Sequence, residues 1–152
     1  MAGRLAGIAR HDRPRGPMET VDHVAVTAAE GVHGDFRGGH ASTKPGRKRQ
    51  VSIIEAECVA TAIAEAGAVL DWSDCRRNLL IQGLRLPREE GTRVQIGESL
   101  VLEITCECDP CPRMDALHDG LRAAMTPDWR GGFLGRVIED GEIAVGDEIR
   151  IL

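Results

Sequence analysis

Asp109-Pro110-Cys111-Pro112-Arg113-Met114 sets one cysteine between two prolines. Each proline fixes its own φ and pushes the residue before it toward extended backbone. Pro112 suits the first position of a helix over Pro112 to His118, which makes Cys111 the cap residue. A thiol held there faces unpaired backbone N–H groups and the positive end of the helix dipole. Arg113 adds a nearby cation. Such surroundings suit the thiolate, the form that attacks electrophiles and binds soft metals. The competing reading is packing, because most cysteines are small core hydrophobes.

Cys106-x-Cys108-x-x-Cys111 invites a zinc reading. Structural zinc takes four ligands, usually in paired spacings, and the nearest fourth candidate is His118. Strand alternation gives a better account. Leu100, Leu102, Ile104, Cys106 and Cys108 fall on one face of a strand, so Cys106 and Cys108 are expected in the core at its end. Cys58 and Cys75 have no identifiable partner and read as packing. Nothing pairs His33, His40 or His118 with Cys111, which argues against a Cys/His hydrolase.

Arginine presents a fork matched to phosphate. Three clusters offer it: Arg47-Lys48-Arg49, Arg76-Arg77-Asn78 and Arg130-Gly131-Gly132. Each alone also reads as a solvated loop. Each borders an expected strand, so together they can converge on one phosphorylated ligand. Gly131 and Gly132 would let that ligand approach the backbone. Gly34-Asp35 reads as a turn, or as a carboxylate set against a polar cofactor.

The elements that must position these residues are mostly short strands. Val21 to Thr27, Gln50 to Ile54, Asn78 to Ile81, Phe133 to Glu139 and Glu148 to Leu152 read as strands. Val94 to Ile96 and Leu100 to Cys108 form a hairpin across Gly97-Glu98-Ser99. One helix runs from about Glu55 to Ala66, with Ala56, Val59, Ala60 and Ile63 on one face and Gly67 as its stop. His11 to Met18 and Phe36 to Arg49 read as polar, turn-rich loops, the second a basic patch. The pattern predicts a mainly β (α+β) fold, a β-barrel with helical insertions.

A chain of 152 residues suits one domain able to bury its own core. The net charge of −5 leaves no global basic footprint for nucleic acid. Aromatics make up 3%, with no tyrosine, so base-stacking platforms are not expected along the chain. No run approaches the roughly 20 apolar residues that span a bilayer. Five cysteines without a secretory signal suggest reduced thiols and a cytoplasmic protein.

Taken in order, six blocks resemble the MOSC family, the molybdenum cofactor sulfurase C-terminal domain. They are Gly31-Val32-His33-Gly34-Asp35, Arg49-Gln50-Val51-Ser52-Ile53-Ile54, Arg77-Asn78-Leu79-Leu80, Pro110-Cys111-Pro112-Arg113-Met114, Arg130-Gly131-Gly132, and Gly141 to Gly146-Asp147. The resemblance covers about Val21 to Leu152 of a single domain, 1–152. It implies a strand-rich barrel and a protein that handles the molybdenum cofactor (molybdopterin) or its sulfur.

By motif, Cys111 matches the family's hallmark cysteine, a molybdenum ligand in members that reduce N-hydroxylated bases. Asp35 matches the Gly-Asp element. Arg49, Arg77 and Asn78 match blocks lining the cofactor region. Arg47, Lys48 and Arg130 are assigned to phosphate contacts on charge grounds. The chain carries no pyridoxal phosphate domain and no iron–sulfur cysteine pattern. A separate cysteine desulfurase or electron-donor protein would therefore have to supply sulfur or electrons. Three functions stay open: a cofactor-binding reductase, a sulfur carrier using a Cys111 persulfide, and a non-catalytic binding module.

Overall fold

The structure, a computed structural model, describes residues 2–152. In chain order its strands are β1 (Ala2–Arg10), β2 (Glu19–Thr20), β3 (His23–Thr27), β4 (Gly31–Val32), β5 (Val51–Glu55), β6 (Leu79–Gln82), β7 (Arg93–Ile96), β8 (Leu100–Glu107), β9 (Phe133–Glu139), β10 (Gly141–Ala144) and β11 (Glu148–Ile151). The helices are α1 (Phe36–Ala41), α2 (Ala56–Ala66), α3 (Pro112–Leu117) and α4 (Leu121–Met125).

Seven strands close a barrel in the order β11-β7-β8-β9-β5-β6-β1, and β1 pairs back onto β11. The β5–β6 pair is parallel, joined by the α2 crossover; the other barrel pairs are antiparallel. A smaller sheet, β10-β3-β4, packs Val24, Val26, Val32 and Ile143 into the same core. The predicted β-barrel with a few helices is the fold observed.

The period of two sorts the side chains. In β5 and β6, Ile53, Leu79 and Ile81 point into the barrel core. Ile54 and Leu80 point outward, beneath Val59, Ala62, Met114, Leu121 and Met125 of α2, α3 and α4. This second apolar layer holds the helical segment after Cys111 against the barrel. Helix α2 ends at Gly67, which adopts φ 69°, but Ala62 rather than Ala60 takes the buried face.

Three departures from the sequence expectation bear on the core or the cleft. Strand β1 is rich in glycine and alanine, residues of low strand propensity, so its period was hidden. Its glycines admit neighbours instead: a Cβ at Gly7 would lie 2.6 Å from the Trp72 ring. Within the expected loop 36–49, Asp35 caps the short helix α1 by accepting from Gly38 N at 3.0 Å. In β8 the alternation breaks at a register shift between Ile104 and Cys106. Thr105 is buried and donates to the carbonyl oxygens of Lys48 (2.6 Å) and Leu134 (3.1 Å). Cys106 is thereby turned to solvent, not into the core; Cys108 is buried as expected.

No helix among the described residues is long and apolar enough to cross a membrane.

Candidate functional site

The end of β8, the start of α3, the loop before β6 and the segment before α1 enclose a cleft of about 370 Å³. Cys111 stands exposed on its wall as the cap residue of α3, with Pro112 at the first helical position. Its carbonyl oxygen accepts from Met114 N at 3.0 Å, and its thiol makes no capping bond. Met114, 1% exposed, anchors α3 behind it. The proline-cysteine-proline run thus presents a free thiol on a fixed backbone.

Cations share the cleft with that thiol. Arg15, Arg37, Arg49, Arg76, Arg77 and Arg113 all line the cleft. Among the described residues none of these six has an ion-pair partner, whereas arginines elsewhere pair with Glu19, Glu55, Glu65 and Glu103. Partial burial, then the like charges of Arg49 and Arg113, make the Arg37 guanidinium easier to deprotonate than usual. Burial, then Arg113 and Arg37, does the same to Arg76. The clustered positive charge therefore costs free energy that a bound anion would relieve.

Beneath the cations sits a buried pair. Asp35 accepts from His11 N at 3.1 Å, and His11 Nδ1 lies 3.4 Å from its Oδ1 without hydrogen-bond alignment. Burial lowers the His11 pKa; Asp35 opposes this, and Arg76, Arg37 and Arg113 reinforce it.

The expected site residues divide. Cys111, Asp35, Arg49, Arg77 and Asn78 line the cleft. Arg77 is buried and spends its side chain on the chain itself, with Nε on Gly131 O (2.9 Å) and Nη1 on Cys75 O (2.7 Å). Asn78 locks strands together, taking Ser52 N at 3.0 Å and donating to Ala9 O at 3.1 Å.

Arg47, Lys48 and Arg130 lie outside the cleft. Arg47 Nη1 is held by the carbonyl oxygens of Ala28 (3.3 Å) and Val137 (3.2 Å). Lys48 lines a neighbouring groove. Arg130 pairs with Glu65 and donates to Ala124 O at 2.9 Å. The glycines beside it serve backbone packing: a Cβ at Gly131 would lie 2.6 Å from Cys108 O, and one at Gly132 2.1 Å from Ile53 O.

Sequence reasoning passed over His11 and Arg15, and saw Arg37 only as one charge in a basic loop. The available signal was Asp35 as a helix cap three residues before Gly38, which sets Arg37 in the first turn. Cys75 and Cys108 also reach the cleft, but both are buried, and burial pushes their thiols toward the neutral form. Among the described residues no group of three His, Cys, Asp or Glu side chains is arranged to hold a metal ion.

The fold recurs in solved structures. YuaD from Bacillus subtilis superposes with a TM-score of 0.80 at 19% identity, covering 98% of this chain and 94% of that one. YiiM from Geobacillus stearothermophilus gives 0.71 at 17%, covering 99% and 75%. YiiM from Escherichia coli gives 0.66 at 16%, covering 98% and 69%. No curated protein matches the sequence. The MOSC domain model matches residues 33–150, a span that holds both Asp35 and Cys111, and the chain belongs to the MOSC domain family.

Proposed function

We propose that the cleft binds the molybdenum cofactor, with Cys111 as a ligand to the metal. The observation that carries this reading is the convergence of unpaired arginines around one exposed thiol. The donor set fits the group: guanidinium forks suit a phosphate, and a thiolate suits a soft metal. Arg37, Arg49, Arg76 and Arg113 attract and orient the anionic end. Cys111 holds the metal on a backbone that two prolines stiffen. His11 is buried against Asp35, and that burial lowers its pKa and favours the uncharged ring. When bound, the cofactor supplies two-electron chemistry, and reduction of an N-hydroxylated substrate to the amine and water suits it, with electrons from a separate donor protein.

Protein expressed with molybdate in a cofactor-competent host tests the reading. Near-stoichiometric molybdenum and pterin, with molybdenum lost in Cys111→Ser, is the expected result. Neither metal nor pterin in either protein overturns it. Binding and activity unchanged in Cys111→Ser would instead fit a non-catalytic module.

A second reading is favoured by the exposure of Cys111 and its unbonded thiol, which a partner protein can reach. In it, Cys111 carries a persulfide from a separate cysteine desulfurase to a metal–sulfur cluster or cofactor. Incubation with a desulfurase and cysteine, followed by mass mapping, should then add one sulfur at Cys111. No adduct there sinks this alternative.

A further inference from the structure

Beside the cleft runs a second concavity of about 370 Å³ that the cofactor reading does not use. It shares Phe36, Arg37 and Arg49 with the cleft and continues along His40, Lys44 and Lys48. Its character differs from the cleft's. Phe36 is 41% exposed, one of few large apolar side chains at the surface. The Phe36 and His40 rings are parallel within 7°, with centroids 6.3 Å apart. Ala41 and Pro45 add apolar lining.

The charge is equally uneven. The chain carries a net −5, yet Arg37, His40, Lys44, Lys48 and Arg49 gather here, and among the described residues none has an acidic partner. A solvated basic loop accounts for the charge. It does not account for an exposed aromatic pair set among those cations beside the cleft.

Parallel aromatic faces take planar rings, and base-on-aromatic stacking tolerates any nucleobase. Guanidinium and ammonium groups take phosphate. We propose that this groove binds a nucleoside phosphate, its base against Phe36 and His40, its phosphate on Arg37 and Arg49, and Lys44 and Lys48 at the rim. Because Arg37 and Arg49 face both spaces, the nucleotide is either free or an arm of the ligand that fills the cleft. Arg37 and Arg49 are shared with the cleft, whereas His40, Lys44 and Lys48 line the groove and not the cleft, so nucleotide binding to the pterin-free chain tests the groove apart from the cofactor reading.

Calorimetry at low salt with AMP, ribose 5-phosphate and inorganic phosphate tests this on the full chain. AMP should bind about ten-fold tighter than ribose 5-phosphate, the difference a stacked base provides. Phe36→Leu, which keeps an apolar side chain at an exposed position, should close that gap. Lys44→Gln with Lys48→Gln, both exposed, should weaken AMP about three-fold, as rim charges do. Equal affinity for AMP and ribose 5-phosphate overturns the proposal. So does an AMP preference that survives Phe36→Leu, which would put the base elsewhere. Material extracted from protein purified from its host then separates the sources. Nucleotide released by simple denaturation marks a free ligand, and nucleotide released only after pyrophosphate cleavage marks an arm.

Discussion

Arg77 Nε donates to the carbonyl oxygen of Gly131 at 2.9 Å, and this bond ties the loop before β6 to the loop before β9. Two of the three basic clusters are therefore joined by the Arg77 side chain. Arg77 is 6% exposed, and its second bond goes to Cys75 O at 2.7 Å. Arg77→Met should cost about 2–4 kcal/mol, because it strands two carbonyl oxygens in the interior. Arg113, exposed and without an ion pair, should behave oppositely. Arg113→Gln should leave stability within about 0.5 kcal/mol, as surface changes usually do, while lowering the affinity for sulfate or phosphate. Urea titration beside calorimetry of both variants reads the contrast. A stability loss at Arg113 equal to that at Arg77 would show that the cleft's arginines are all scaffold.

How much of this was legible in the sequence depended on what kind of signal each residue left. Cys111 was legible because prolines restrict backbone locally, and the chain obeys them: Cys111 sits extended at the head of α3. Strand β9 was legible from its run of apolar residues and its turns. Strand β1 was not, because its role rests on missing side chains: Gly3 and Gly7 make room for Leu84 and Trp72. Cys106 misled for a similar reason. A strand bulge is set by tertiary pairing, here the burial of Thr105 against Lys48 O and Leu134 O, and no period in the sequence records it. Charge type showed that anion contacts were available. It did not show which arginines face the cleft, since Arg47 and Arg49 are two residues apart and only Arg49 lines it.

His11 links the cleft to pH. Its folded pKa lies below 6.5, first through burial and then through Arg76, Arg37 and Arg113, against the pull of Asp35. A lowered pKa makes the neutral ring the form that the fold prefers. Its contribution to stability is thus present above the unfolded value of 6.5 and is lost as pH falls through the lower folded value. Stability should decline across that window, and His11→Asn should flatten the decline. A bound anion screens the three arginines and should raise the His11 pKa. Imidazole proton shifts followed by NMR with and without phosphate measure this directly. A downward or absent shift would mean that the anion binds elsewhere.

The thiols should separate by alkylation. Cys106 and Cys111 are exposed, whereas Cys75 and Cys108 are buried and burial favours their protonated forms. Thiolate is the reacting species, so access and ionisation act together. Brief iodoacetamide treatment of the native protein should mark Cys106 and Cys111, and Cys75 and Cys108 only after denaturation. Peptide mass mapping reads the outcome. Inorganic phosphate should slow labelling at Cys111 and leave Cys106 unchanged, because only Cys111 lines the cleft. Equal protection of both would place the phosphate outside it.

The barrel is braced away from the cleft by Glu55 and Arg88. Glu55, 3% exposed at the end of β5, accepts from Arg88 Nη2 (2.6 Å), Arg88 Nη1 (2.8 Å) and Leu86 N (2.7 Å). Arg88 lies over the Phe133 ring, 5.2 Å from its centroid. The pair ties the 86–88 loop to strands β5 and β9. Removing one member of a buried pair leaves the other poorly compensated, here with the exposed Asp128 carboxylate 3.7 Å from Arg88 Nε as a weaker partner, so Glu55→Gln should cost about 3 kcal/mol. Replacing both removes the stranded charge. Glu55→Gln with Arg88→Met should therefore recover part of the loss, and a double-mutant cycle by urea denaturation measures the coupling. Strictly additive losses would mean that the two side chains stabilise the barrel separately, through Leu86 and through Phe133. Strong coupling would show that the carboxylate and guanidinium act as one unit.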